Sequence, residues 1–309
     1  MSYFLEKPEI VKVSLTNICN YRCVMCFNPG LKQARGRMEA GLLHRIVDEC
    51  AREGIGKMSL GATGEPLLHP DFLAFLAYAK ARGLWVSTTT NASRLTPEIA
   101  AGIFERGIDR INLSIYSTTD AEHRNYTGTG LFEEVVANIR GCLQLWKRLG
   151  KPCHINMWFL PIPGVNSLEK HLAFWKPLAD EVGLEITRQP ALNWGGAVDF
   201  AREPRVRLVR EEGRLAVRWV RRRPCPDVRY YFQILHGGEI LPCCQIPEPD
   251  ETGSLVFGSL PGNSIMETWR SERYRSFKQA HARRRIGDFP ACTACHQSRE
   301  IRRFSLPGF

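Results

Sequence analysis

Between Ile10 and about Gln189 the chain alternates short β-branched or apolar runs with longer segments of helical period, which restricts it to an α/β fold with a parallel sheet. The strand candidates are VKVSL at 11–15, KMSLGA at 57–62, LWVSTTT at 84–90, RINLSIY at 110–116, HINMWFL at 154–160 and LEITRQ at 184–189. Helix candidates fill the gaps near 39–53, 70–82, 96–106, 131–149 and 167–182. Six units are too few for an eight-fold closed barrel, so an open partial (β/α)6 barrel is expected. In such folds chemistry gathers in the loops at the carboxyl ends of the strands.

The 309 residues, 44% of them hydrophobic, suffice for a large domain with a smaller one behind it. No basic start followed by an apolar run opens the chain, and no stretch of about 18 apolar residues occurs, so a soluble, cytoplasmic protein without a membrane partner is expected. Eleven cysteines, an odd number, argue against a disulfide framework and for metal ligation. The net charge of +10 is concentrated in an arginine run, Arg202 to Arg223, read as two strands around the turn Glu211-Glu212-Gly213. Such runs are commonly solvated faces, and an anionic metabolite or acidic peptide is the docking alternative. Nucleic acid is not expected, because no aromatic residues interleave with the charges. The resulting division is a barrel over 1–200, an Arg-rich bridge over 201–224 and a small α+β region over 225–309.

The loop after the first strand, TNICNYRCVMCFNPG, places Cys19, Cys23 and Cys26 at C-x3-C-x2-C spacing. Three thiolates hold three irons of a [4Fe–4S] cube and leave the fourth open, which makes it a reaction site. Zinc would need a fourth ligand that is not local. At these residues the sequence resembles the radical S-adenosylmethionine (AdoMet) superfamily. That resemblance implies AdoMet chelated to the open iron and reductively cleaved to a 5′-deoxyadenosyl radical. Thr63-Gly64-Glu65-Pro66 resembles the family's GGEP motif, implying that Gly64 and Glu65 bind the methionine ammonium. Thr89-Thr90-Asn91 resembles its TNG element, with Ala92 where glycine is common. Ser114 matches a position that bonds ribose or carboxylate, Arg124 a carboxylate-binding arginine, and Phe27 an aromatic near the adenine. Taken singly, Glu65 is also a turn residue and Thr-Thr-Asn a helix cap.

Near the C-terminus Cys225, Cys243 and the pair Cys292/Cys295 form a second set of four, which by spacing alone suits either a [4Fe–4S] cluster or zinc. Gly238-x4-Cys243, the helix SIMETWRSERYRSF and the terminal C-x2-C resemble the twitch form of the SPASM domain. The resemblance, most similar to the butirosin-pathway 2-deoxy-scyllo-inosamine dehydrogenase type, implies one auxiliary [4Fe–4S] cluster and so two clusters in all. Cys244, beside Cys243, is the competing ligand. Cys50, Cys142 and Cys153 fit as small buried hydrophobes. Arg188 and Asn193, at and after the sixth strand, are substrate-binding candidates, with an interdomain turn around Trp194 as the alternative.

These expectations converge on a radical AdoMet oxidoreductase. It would dehydrogenate a hydroxyl- or amine-bearing small molecule and pass the electron to the auxiliary cluster, with a flavodoxin or ferredoxin as reductant. Radical modification of a ribosomally made peptide is the alternative, disfavoured because the first strand begins about ten residues in and leaves no room for a leader-recognition domain. A zinc-stapled binding protein is the third reading. His123, His154 and His236 stand isolated in the sequence, and none is an evident general base.

Overall fold

The structure, a computed structural model, describes residues 5–162, 165–189, 194–199, 219–222, 224–249, 253–295 and 299–301. Six parallel strands follow the expected positions: β1 (Ile10–Val13), β2 (Lys57–Leu60), β3 (Trp85–Thr90), β4 (Arg110–Ser114), β5 (His154–Phe159) and β6 (Glu185–Arg188). Between them lie α1 (Ala40–Arg52), α2 (Phe72–Ala81), α3 (Pro97–Glu105), α4 (Asp120–Thr127), α5 (Phe132–Arg148) and α6 (Leu168–Val182). The strands lie side by side in sequence order, each βα unit placing its strand next to the one before. Val11, Val13, Met58, Leu60, Val86, Ile111 and Met157 are fully buried, and each is worth about 1.5–3 kcal/mol relative to exposure.

Local chemistry fixes the helix starts. Thr96 and Ser167 accept backbone N–H bonds from Ile99 and Lys170, and Pro97 sits in the first turn of α3. The helix α4 was not anticipated. Its sequence DAEHRNYT has no apolar stripe, yet Thr119 caps it by accepting from Glu122 N–H, and Gly128 closes it at φ +76°.

The C-terminal region does not stand apart from the barrel sheet. After α7 (Pro226–Tyr230), strand β8 (Tyr231–Ile234) pairs parallel with β1 in the register Ile10↔Tyr231 to Val13↔Ile234. Antiparallel β9 (Glu239–Leu241) and β10 (Gly258–Ser259) extend it into one nine-stranded sheet, β10-β9-β8-β1-β2-β3-β4-β5-β6. Helices α8 (Ile265–Arg270), α9 (Glu272–Ala282) and α10 (Pro290–Ala294) cover this extension. Trp269 on α8 packs edge-on against Phe232 of β8 at 4.9 Å. Of the arginine run only β7 (Trp219–Arg222) is described, paired antiparallel with β11 (Arg299–Ile301), and the rest of the expected hairpin lies outside the described residues. No described helix is long and apolar enough to cross a membrane.

Candidate active site

Parallel pairing brings the carboxyl ends of β1 to β6 to one rim, and the loops there enclose a cavity of about 430 Å³. The cysteine loop leaves β1 and is tied down by Asn17, whose Nδ2 donates to Ala34 O at 2.9 Å. The Arg35 guanidinium donates to Asn17 O and Asn28 O, each at 2.7 Å. Cys19, Cys23 and Cys26 all face the cavity. Backbone N–H groups of Tyr21 and Asn28 donate to the sulfurs of Cys19 and Cys26 at 3.4 Å, a setting that favours thiolates. Burial opposes it, pushing Cys19 up to about 12, with the nearby Glu65 carboxylate adding to the effect, and Cys26 up to about 11. Loading iron must therefore expel protons from these thiols.

Gly64, Glu65, Thr90, Asn91 and Ser114, from successive strand ends, join the same wall. The Glu65 carboxylate is 2% exposed and accepts three bonds, from Thr90 Oγ1 at 2.7 Å, Asn91 N–H at 2.8 Å and Leu67 N–H at 3.1 Å. Desolvation outweighs these donors and raises its pKa to about 7. A buried acid so poised gains most from an incoming cation. Asn91 Nδ2 donates to Asn20 Oδ1 at 3.0 Å, coupling the β3 loop to the cysteine loop. Gly64, at φ +67°, lies against the backbone: a Cβ there would stand 2.5 Å from Thr16 O and 2.6 Å from Ile18 O.

The opposite wall comes from β1 and the C-terminal region. Lys12 Nζ donates to Cys244 Sγ at 3.3 Å, and the Tyr231 hydroxyl contacts the same sulfur at 3.1 Å, with Asp227 and Gln245 alongside in the cavity. The neighbouring Cys243 instead faces a second cavity, which Cys225, Cys292 and Cys295 share. Burial pushes Cys225 and Cys292 up to about 12 and raises Cys243 well above the usual thiol range. Adjacent cysteines thus serve different cavities, with Cys243 grouped with the other three and Cys244 not. Among the described residues no three Cys, His, Asp or Glu side chains gather around a single ion position.

Three of the expected site residues lie away from the cavity or outside the described residues. Arg124 is not at the cavity: its Nε donates to Asp120 Oδ2 at 2.6 Å, one helical turn away, with its side chain 64% exposed. Arg188 is exposed, and the next residue, Gln189, takes the cavity position, because successive side chains of a strand face opposite sides. Asn193 lies outside the described residues. Phe27, 6% exposed, lies beneath the loop and meets Trp194 edge-on at 4.8 Å. The Trp194 indole N–H donates to Met25 O at 2.8 Å, so this turn serves as a packed joint. Sequence reasoning missed Lys12, Asp227 and Tyr231. Only Lys12 left a signal, a lone charge inside an apolar strand. His123 is not isolated: its Nδ1 bonds Ser117 Oγ at 2.9 Å and it lines the cavity, with burial lowering its pKa to about 4.

Residues 13–174 match the radical SAM superfamily, and residues 225–296 match an iron–sulfur cluster-binding (SPASM) domain. Curated relatives include a probable GTP 3′,8-cyclase of Thermococcus kodakarensis, 34% identical over 130 residues, or 42% of each chain. The mycofactocin maturase MftC of Mycobacterium tuberculosis is 30% identical over 132 residues, 43% of this chain and 34% of that one. The chain thus spans well under two thirds of the length of these relatives. Among solved structures, BtrN in complex with AdoMet and 2-DOIA superposes with a TM-score of 0.63 at 16% identity, covering 93% of this chain and 92% of that one. SuiB of Streptococcus suis bound to its precursor peptide SuiA gives 0.66 at 14% identity, covering 89% and 67%. At these identities the likeness is one of fold.

Proposed function

The chain belongs to the radical SAM superfamily, and from that premise we propose that it dehydrogenates a hydroxyl- or amine-bearing small molecule, with the electron leaving through the Cys225–Cys243–Cys292–Cys295 cluster. Cys19, Cys23 and Cys26 would hold a cluster at which AdoMet binds, and the pair would supply the radical chemistry when bound, while the chain's own residues supply the rest. Cys19, Cys23 and Cys26 leave one iron open, while four cysteines fill the auxiliary cluster and suit it to electron transfer. Glu65 and Asn91 hold the methionine ammonium end, and Ser114 lies within the same wall. Lys12 and Tyr231, which meet at Cys244 Sγ, supply donors to the substrate's hydroxyl or amine, and the Asp227 carboxylate in the same cavity is the group that takes up its proton. Phe27 and Trp194 seal the joint behind the cysteine loop against water. The division into a barrel over 1–200, a bridge over 201–224 and an auxiliary-cluster domain over 225–309 belongs to this reading.

The observation that carries it is the placement of Cys243 and Cys244, which sets the auxiliary cluster one residue away from the substrate cavity. Anaerobically reconstituted protein with AdoMet, a reduced flavodoxin and a panel of aminocyclitols and aminosugars should release 5′-deoxyadenosine and a product two hydrogens lighter. Deoxyadenosine formed beside a product of unchanged mass would rule out the oxidation. The names of MftC, a maturase, and of SuiB, solved with its precursor peptide, favour a second reading, radical modification of a short peptide. Turnover of peptides alone would select it.

A further inference from the structure

His281 belongs to α9, is 3% exposed, and lines the cavity bordered by Cys225, Cys243, Cys292 and Cys295. Its Nε2 is buried with no hydrogen-bond partner among the described residues. The ring is fixed by Phe277 at 4.6 Å and by Phe289, nearly parallel at 6.4 Å. The rest of that cavity wall comes from Val228, Ile246 and Gln245, whose Oε1 is also buried without a hydrogen-bond partner among the described residues and does not pair with the histidine. An imidazole nitrogen buried without a partner costs about 1–3 kcal/mol, so such a group calls for an acceptor or donor not yet named. Four cysteines already satisfy the four irons of a cube, which leaves the histidine outside the ligand set and beside it.

We propose that His281 is a positioning residue for the auxiliary cluster, donating an Nε2–H hydrogen bond to one of its sulfurs and so raising its reduction potential. The inference rests on the auxiliary-cluster reading above. The sign follows from electrostatics: the reduced cluster carries one more negative charge than the oxidised one, so a fixed N–H dipole aimed at it stabilises the reduced state more. His281 thereby makes the cluster a better acceptor for the electron released by substrate oxidation. Buried nitrogens without a partner among the described residues also occur at His123, His171 and His236, and His281 differs from these in lining the cavity that the four cysteines share.

The test is an EPR-monitored redox titration of the reconstituted protein, comparing wild type with His281→Phe, which keeps the ring and removes the donor, and His281→Gln, which restores one. The expected result is a lower auxiliary midpoint in the Phe variant, largely recovered in the Gln variant, with the midpoint of the Cys19–Cys23–Cys26 cluster and the iron content unchanged. Pulsed EPR of the reduced wild type should also show a weakly coupled nitrogen and a proton that exchanges in D2O. That measurement decides the matter if the Phe variant loses iron. An unchanged midpoint at full iron content, no such couplings, or a nitrogen coupling strong enough for direct ligation each overturns the proposal. About four irons per wild-type chain would instead overturn the auxiliary-cluster reading itself.

Discussion

Replacing Gly64 by alanine is expected to disable the AdoMet site while leaving the rest of the fold in place. Gly64 sits at φ +67°, where a residue with a Cβ is disfavoured by about 1–2 kcal/mol. The added carbon would stand 2.5 Å from Thr16 O and 2.6 Å from Ile18 O, whereas such contacts settle near about 3.3 Å. Both oxygens are backbone, in the segment leading to Cys19, so the two loops must part by roughly 0.8 Å. The Glu65 N–H bond to Ile18 O, now 2.9 Å, would stretch, at a further cost of about 1 kcal/mol. The sum is about 2–3 kcal/mol of stability. A displacement approaching 1 Å between Glu65 and the cysteine loop predicts a fall in activity on the order of 10²-fold. The assay is anaerobic 5′-deoxyadenosine formation, with thermal unfolding alongside. Gly83→Ala is the control, since Gly83 has φ +76° and open space around it, so it bears only the conformational cost. Wild-type deoxyadenosine formation in Gly64→Ala, or equal damage in Gly83→Ala, would refute the steric reasoning.

Cys243→Ser is expected to lower iron from about eight to about four per chain, whereas Cys244→Ser keeps about eight, as read by iron and sulfide analysis after reconstitution. Glu65, raised by burial to about 7, retains its proton in the folded state where the unfolded chain has lost it. The stability this gives is complete below about pH 4.5 and is lost as pH rises through 7, by up to roughly 3 kcal/mol. Urea midpoints of the AdoMet-free protein should therefore fall over that window, Glu65→Gln should flatten the slope, and equal slopes in both would count against the assignment. Lys12→Met should leave substrate-free deoxyadenosine formation within about twofold and lower substrate turnover at least about tenfold, the effect of one charged hydrogen bond. Steady-state kinetics separate the two.

The barrel strands were legible because a parallel sheet covered on both faces leaves short runs rich in β-branched and apolar residues, such as WVSTTT and HINMWF, at regular intervals. The cysteine sets were legible because spacing along the chain is itself the signal. The α4 helix was not, since its polar sequence lacks a period and is held by its caps. The pairing of β8 with β1 joins residues more than two hundred positions apart, and nothing in IVKV or YFQI specifies the other. Arg188 shows the limit at a site: a strand end fixes which segment reaches the rim, but whether residue 188 or 189 faces inward depends on the strand's rotation. Arg124 shows another, because the acidic Asp120 one helical turn away satisfies it without any ligand.

The peptide bond between Cys243 and Cys244 acts as a partition wall one residue thick. The two α-carbons it joins are about 3.8 Å apart, one holding a side chain toward the larger cavity and the other toward the cavity the four cysteines share. In the dehydrogenation proposed above, an electron crossing that wall would need no intermediate carrier, and both rooms share one structural member. A single residue inserted there would turn one cysteine out of its room, so this dipeptide should tolerate side-chain changes far better than any change in length.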